Sequence, residues 1–102
     1  MKTELKINGI YSFKDEESAY FIILEKLKND FYYLYTVDCL NEHANNEIQE
    51  RLINDISNNI VKPFSFLELN STFICNSVDG YLGTVSNEIG DKLLNFFWNL
   101  KI

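Results

Sequence analysis

The chain has 102 residues, of which 46% are hydrophobic, 15% aromatic and 24% charged. That suits one compact domain over 1–102 with a single core and argues against wholesale disorder. A net charge of −6, a pI near 4.6 and a single arginine, Arg51, weigh against nucleic-acid binding, because an acidic field repels phosphate backbones.

The first residues, Met1 to Leu5, run straight into an alternating pattern and lack the continuous apolar segment of a signal peptide. No apolar run approaches the roughly 20 residues needed to cross a bilayer, so the expected compartment is the cytoplasm. Residues 5–13, LKINGIYSF, alternate as a strand with Leu5, Ile7, Tyr11 and Phe13 on one face. Gly9 falls on that face and signals a bulge or a close backbone approach. The stretch Lys14-Asp15-Glu16-Glu17-Ser18 reads as a solvated turn. It lacks the spaced oxygens and central glycine of a calcium loop.

Two apolar strands follow, AYFIILEKLK (19–28) and FYYLYTVD (31–38), joined by a tight turn at Asn29-Asp30. A two-residue turn sets Lys28 opposite Phe31 and Ile22 opposite Val37. One face of this hairpin then carries Tyr20, Ile22, Leu24, Tyr33, Tyr35 and Val37 and belongs to the core. The other carries Phe21, Ile23, Leu27, Tyr32 and Leu34, diluted by Glu25, Thr36 and Asp38. FYYLY is thus apolar on both sides. The second side is either covered from within or kept for a partner.

Beyond Asn41 the period becomes helical. Ile48, Leu52, Ile53 and Ile56 form a narrow stripe on a helix over 45–57, with Glu47, Glu50, Arg51, Asn54 and Asp55 turned outward. Asn45 or Asn46 suits the N-cap, with Gln49 completing a capping box, and Asn58-Asn59 is the stop. Such a helix covers an edge or open end of the sheet, or lies over the Tyr32 face. Pro63 makes 60–69 irregular or edge structure. STFICNSV–DG–YLGTV reads as a hairpin turning at Asp79-Gly80. SNEIGDKLLNFFWNL is an amphipathic helix capped by Ser86 or Asn87, with Ile89, Leu93, Phe96, Phe97 and Leu100 on its apolar stripe and Gly90 weakening it slightly. The predicted class is α+β. We expect a curved antiparallel sheet or partly open small barrel of about five strands, in the order βββαββα, with the C-terminal helix packed on it.

Chemistry-bearing residues are sparse. His43, the lone histidine, follows Cys39 by four residues in a polar segment, which is too little for a nucleophile–base pair. Cys39, His43 and Cys75 are too scattered for a zinc signature, and both cysteines read as reduced thiols. Gly80 and Gly83 lack the following lysine of a phosphate loop. No enzyme activity, metal or cofactor is expected.

What remains is binding. An acidic, aromatic-rich small domain matches an inhibitor that occupies a basic protein, with an immunity protein against a toxin or nucleic-acid-handling enzyme as the leading case. The candidate contact residues are Tyr32, Leu34 and Leu27 as an apolar centre, with Glu25, Asp38, Asp15, Glu16 and Glu17 as an acidic rim. The alternative is a structural or adaptor domain, with a homodimer as one form. The richness in Asn, Ile, Lys, Phe and Tyr, all with A/T-rich codons, suggests a low-GC bacterium or its phage.

Overall fold

The computed structural model describes residues 5–14, 19–38, 44–62 and 65–100, of which the side chains of 44, 45 and 100 lie outside the description. Five strands form one antiparallel sheet: β1 (Gly9–Phe13), β2 (Ala19–Lys26), β3 (Phe31–Asp38), β4 (Phe66–Asn70) and β5 (Val78–Thr84). Their order across the sheet is β4-β3-β2-β1-β5, and the sheet is open, with β4 and β5 as its edges. Helices α1 (Ala44–Ser57), α2 (Ser71–Ser77) and α3 (Asn87–Leu100) complete the domain.

The first strand begins later than its alternation suggests. Asn8 adopts a left-handed φ of 65°, and the Gly9 amide closes a turn by donating to Lys6 O at 3.0 Å. A Cβ at Gly9 would lie 2.9 Å from Lys6 O and 2.8 Å from the Tyr11 ring, so the glycine answers to a close approach. The same turn leaves Ile7 exposed rather than on the core face.

The β2–β3 hairpin turns at the expected residues. Asn29 and Asp30 both have positive φ, 62° and 60°, as a primed turn requires. Its register differs from the simple two-residue pairing. The Leu27 amide donates to Phe31 O, so Leu27 rather than Lys28 faces Phe31. A bulge between Ile23 and Glu25 then moves the pairing once more, to Ile22↔Tyr35. Each slip by one residue flips the faces, and two slips restore them. Beyond the bulge the predicted faces therefore hold. Between the bulge and the turn β2 is inverted while β3 keeps its predicted faces, so Glu25 pairs with Tyr33 and Leu27 packs with the first face.

That first face carries the larger core. Ile22, Leu24, Tyr33, Tyr35 and Val37 meet Ile48 and Leu52 of α1, and Ile89, Leu93 and Phe97 of α3. The i, i+4 spacing of Ile48 with Leu52, and of Ile89, Leu93 and Phe97, keeps each set on one side of its helix. Aromatic rings join sheet to helix, with Tyr33 and Phe97 at 4.1 Å and Phe66 and Phe97 at 5.4 Å between centroids. α1 begins at Ala44, ahead of the asparagines expected to cap it. Ile53, placed on its stripe by sequence, is exposed. The helix stops as expected at Asn59, which has φ 57°. The amides of Asn59 and Ile60 donate to Ile56 O and Asp55 O, a Schellman ending with asparagine in the glycine position.

The second face holds a smaller core of Tyr11, Phe21, Ile23, Tyr32, Leu34 and Ile74. Its cover is α2, not α1. The sequence pattern makes 71–77 the first strand of a hairpin, and the structure makes it a helix. Asn70 Oδ1 accepts from the Thr72 amide at 2.9 Å, capping a short helix that buries Ile74. Asp79-Gly80 is no turn either. It runs through β5, where Ser12 faces Gly80 and Tyr11 faces Tyr81 across β1. Long-range pairing with the open edge of β1 outweighs the local turn signal. The fourth strand is thus Phe66–Asn70, in the stretch read as irregular or edge, and the element order is βββαβαβα.

α3 matches its prediction closely. Ser86 Oγ accepts from the Ile89 amide at 3.3 Å, making Ser86 the cap. Gly90 has a definite role. A Cβ there would collide with Oδ1 of Asn8, whose amide group donates to Asn87 Oδ1 at 2.9 Å.

Candidate protein-binding face

Tyr32 and Leu34, the expected apolar centre of an exposed patch, are interior residues at 8% and 0% exposure. They lie under α2 with Ile23, Phe21 and Ile74. The correction follows from the helical state of Ser71–Ser77, since a strand there leaves nothing to cover them. Leu27 and Glu25 also leave that patch, because the bulge turns both toward the first face. One carboxylate oxygen of Glu25, Oε2, is buried with no hydrogen-bond partner among the described residues. Asp38 stays exposed at the end of β3. Asp15, Glu16 and Glu17 lie outside the described residues, as do Cys39 and His43, while Cys75 is half-buried on α2.

The second face is covered only in part. α2 has seven residues, and beside it a cleft of about 470 Å³ remains open. Phe13, Ala19, Thr36, Asp38, Leu67 and Phe73 line it. Phe73 is 58% exposed and Leu67 38%, so two large apolar side chains flank the opening. Asp38 supplies a carboxylate at the rim and Lys14 a cation. This cleft shares its face and its acid, Asp38, with the patch expected from sequence, but its apolar residues are different ones. Phe73 is hidden from sequence reasoning by its apparent place on a strand. The available signal is Asn70-Ser71-Thr72, a capping sequence immediately ahead of it.

Asp38 also borders a smaller polar recess of about 160 Å³ on the other side of the sheet edge, with Tyr35, Arg51, Asp55, Lys62 and Ser65. The Arg51 guanidinium donates to the Asp38 carbonyl there. Burial pushes the Tyr35 hydroxyl pKa above its usual value near 10, opposed by a hydrogen bond with the Lys62 backbone; Asp55 adds to the rise, while Arg51 and Ser65 oppose it. A buried neutral phenol held by backbone and serine is a structural arrangement. Among the described residues no group of three or more His, Cys, Asp or Glu could hold a metal ion, and no helix is long and apolar enough to cross a membrane. Comparison of the chain with protein-family models, with curated proteins and with solved structures found no match.

Proposed function

We propose that this chain is a small acidic protein-binding domain of the immunity type, which neutralises a basic toxin or enzyme in the cytoplasm of a bacterium by occupying it. The observation that carries the reading is the half-covered second face, where Phe73 and Leu67 stand exposed around a cleft with Asp38 at its rim. An apolar centre with a charged rim is the general anatomy of a protein interface. The net charge of −6 favours a basic partner, because it speeds encounter and discourages acidic competitors.

The test is co-expression with the product of the neighbouring upstream gene, followed by co-purification at low and high salt. The expected result is a complex that weakens with salt. Phe73→Glu should cost it about 2 kcal/mol or more, as loss of an anchor does. Ile53→Glu, on α1 beyond the opposite face of the sheet, should leave it intact. A chain that self-associates, with no partner and no sensitivity to Phe73, would favour the structural or homodimeric alternative instead.

A further inference from the structure

The two edges of the sheet are not alike. β5 meets β1 through two irregularities in register, and its Gly83 has a φ of 140°. Bulges and glycine kinks twist an edge away from further pairing. β4 has neither. Its five residues pair with β3 in unbroken register, from Phe31↔Asn70 to Tyr35↔Phe66, and its other side has no strand neighbour among the described residues. Outside that ladder, Phe66–Leu69 make no backbone hydrogen bond to another strand or loop among the described residues. The middle residues of the strand, Leu67 and Glu68, are exposed.

We infer that the outer edge of β4 is a docking edge for an extended, basic segment of a partner protein, which adds to the sheet as a sixth strand. The inference rests on the protein-binding reading and supplies its mode. Main-chain hydrogen bonds along an open edge give affinity, and alternating side chains give selectivity. Here the alternation is definite. Leu67 and Leu69 pair with Leu34 and Tyr32 on the second face, where Leu67 borders the cleft. An incoming strand therefore sets apolar residues on that side. Glu68 pairs with Tyr33 on the first face, and Trp98, 43% exposed, stands edge-on to the same tyrosine at 5.7 Å. A lysine or arginine opposite Glu68 meets both a carboxylate and an indole, and Glu68 has no ion pair among the described residues.

The same carboxylate argues against a second copy as the occupant. A two-fold pairing that uses all five residues of β4 sets Glu68 opposite its own copy, and like charges directly opposed are destabilising.

The experiment uses the full chain, labelled with nitrogen-15, and two synthetic peptides, one alternating valine with lysine and the other valine with glutamate. The lysine peptide should shift the amides of Phe66–Asn70 and the Trp98 indole while leaving Val78–Thr84 unmoved, and the glutamate peptide should shift neither. Glu68→Lys, on an exposed residue, should keep the melting temperature and reverse that preference. Shifts at β5, equal response to both peptides, or a concentration-dependent dimer through β4 would overturn the inference. Loss of the partner on Phe73→Glu, with no peptide response at β4, would leave the protein-binding reading standing and remove this mode alone.

Discussion

At the level of single residues, asparagine takes positions that glycine fills elsewhere. The described non-glycine residues with positive φ are Asn8, Asn29, Asp30 and Asn59, and the chain has only four glycines. Asn and Asp tolerate the left-handed region better than other residues with a side chain, so a glycine-poor sequence can still turn sharply. The same asparagine excess reads from sequence only as codon bias. Asn8 adds a contact of its own, because its side chain fills the space a Cβ at Gly90 would need. Gly90→Ala should therefore destabilise the domain, against the gain of about 1 kcal/mol that alanine offers within a helix. Adding Asn8→Gly should recover that loss, which a double-mutant cycle by thermal melting would read. Tyr32→Ala should cost about 3 kcal/mol, comparable to Tyr33→Ala, since both rings are buried; an unchanged melting temperature would mean the second face is open. Tyr35 has a pH signature. Its native pKa is raised chiefly by burial, so its contribution is complete below about pH 10 and is lost as pH rises through the native value. Tyr35→Phe should make the alkaline fall in stability shallower.

At the level of elements, what the sequence makes legible is whatever carries long periodicity. The hairpin of β2 and β3, the stripe of Ile48 and Leu52, and the helix from Asn87 onward all follow from spacing, and the cap of that helix from residue type. The segment after Asn70 is not legible, for a physical reason. Phe73-Ile74-Cys75 is an apolar run too short to show a period, and Asp79-Gly80 imitates a turn. What decides there is the open edge of β1, which lies far earlier in the chain. The candidate site suffers most from this, because the cover of the second face is the very element that local pattern misassigns. α3 is the element whose removal is most informative. It carries Leu93 and Phe97 into the larger core, with the Phe97 ring against both β3 and β4. Truncation of such side chains to alanine costs roughly 2–5 kcal/mol each, against a stability of about 5–15 kcal/mol for a domain. Deleting residues 93–102 should therefore give insoluble or non-cooperative protein, as circular dichroism during heating would show.

At the level of the whole molecule, one sheet divides two unequal cores, the larger under α1 and α3 and the smaller under α2. The radius of gyration is 12.8 Å, close to the value of about 13 Å expected for a folded chain of this length. The open ground lies on the thinly covered side, and the same imbalance makes α2 the first element expected to open under native conditions. The paired slips in the central hairpin bear on how the chain reaches this state. A bulge-free alignment, with Ile22 opposite Val37, sorts the outer parts of β2 and β3 onto the same two faces as the native alignment, with Ile22 opposite Tyr35. Hydrophobic burial in those parts cannot tell the two apart. The difference lies near the turn, where the competing alignment sets Glu25 opposite Leu34 in the smaller core, whereas the native one sets it opposite Tyr33 with one carboxylate oxygen buried and no hydrogen-bond partner among the described residues. Glu25 is the residue whose surroundings differ between the two alignments, so its substitution tests whether the second one competes during folding. Glu25→Leu should raise or preserve equilibrium stability yet add a slow refolding phase in stopped-flow fluorescence of Trp98, as misaligned hairpins wait to unpair.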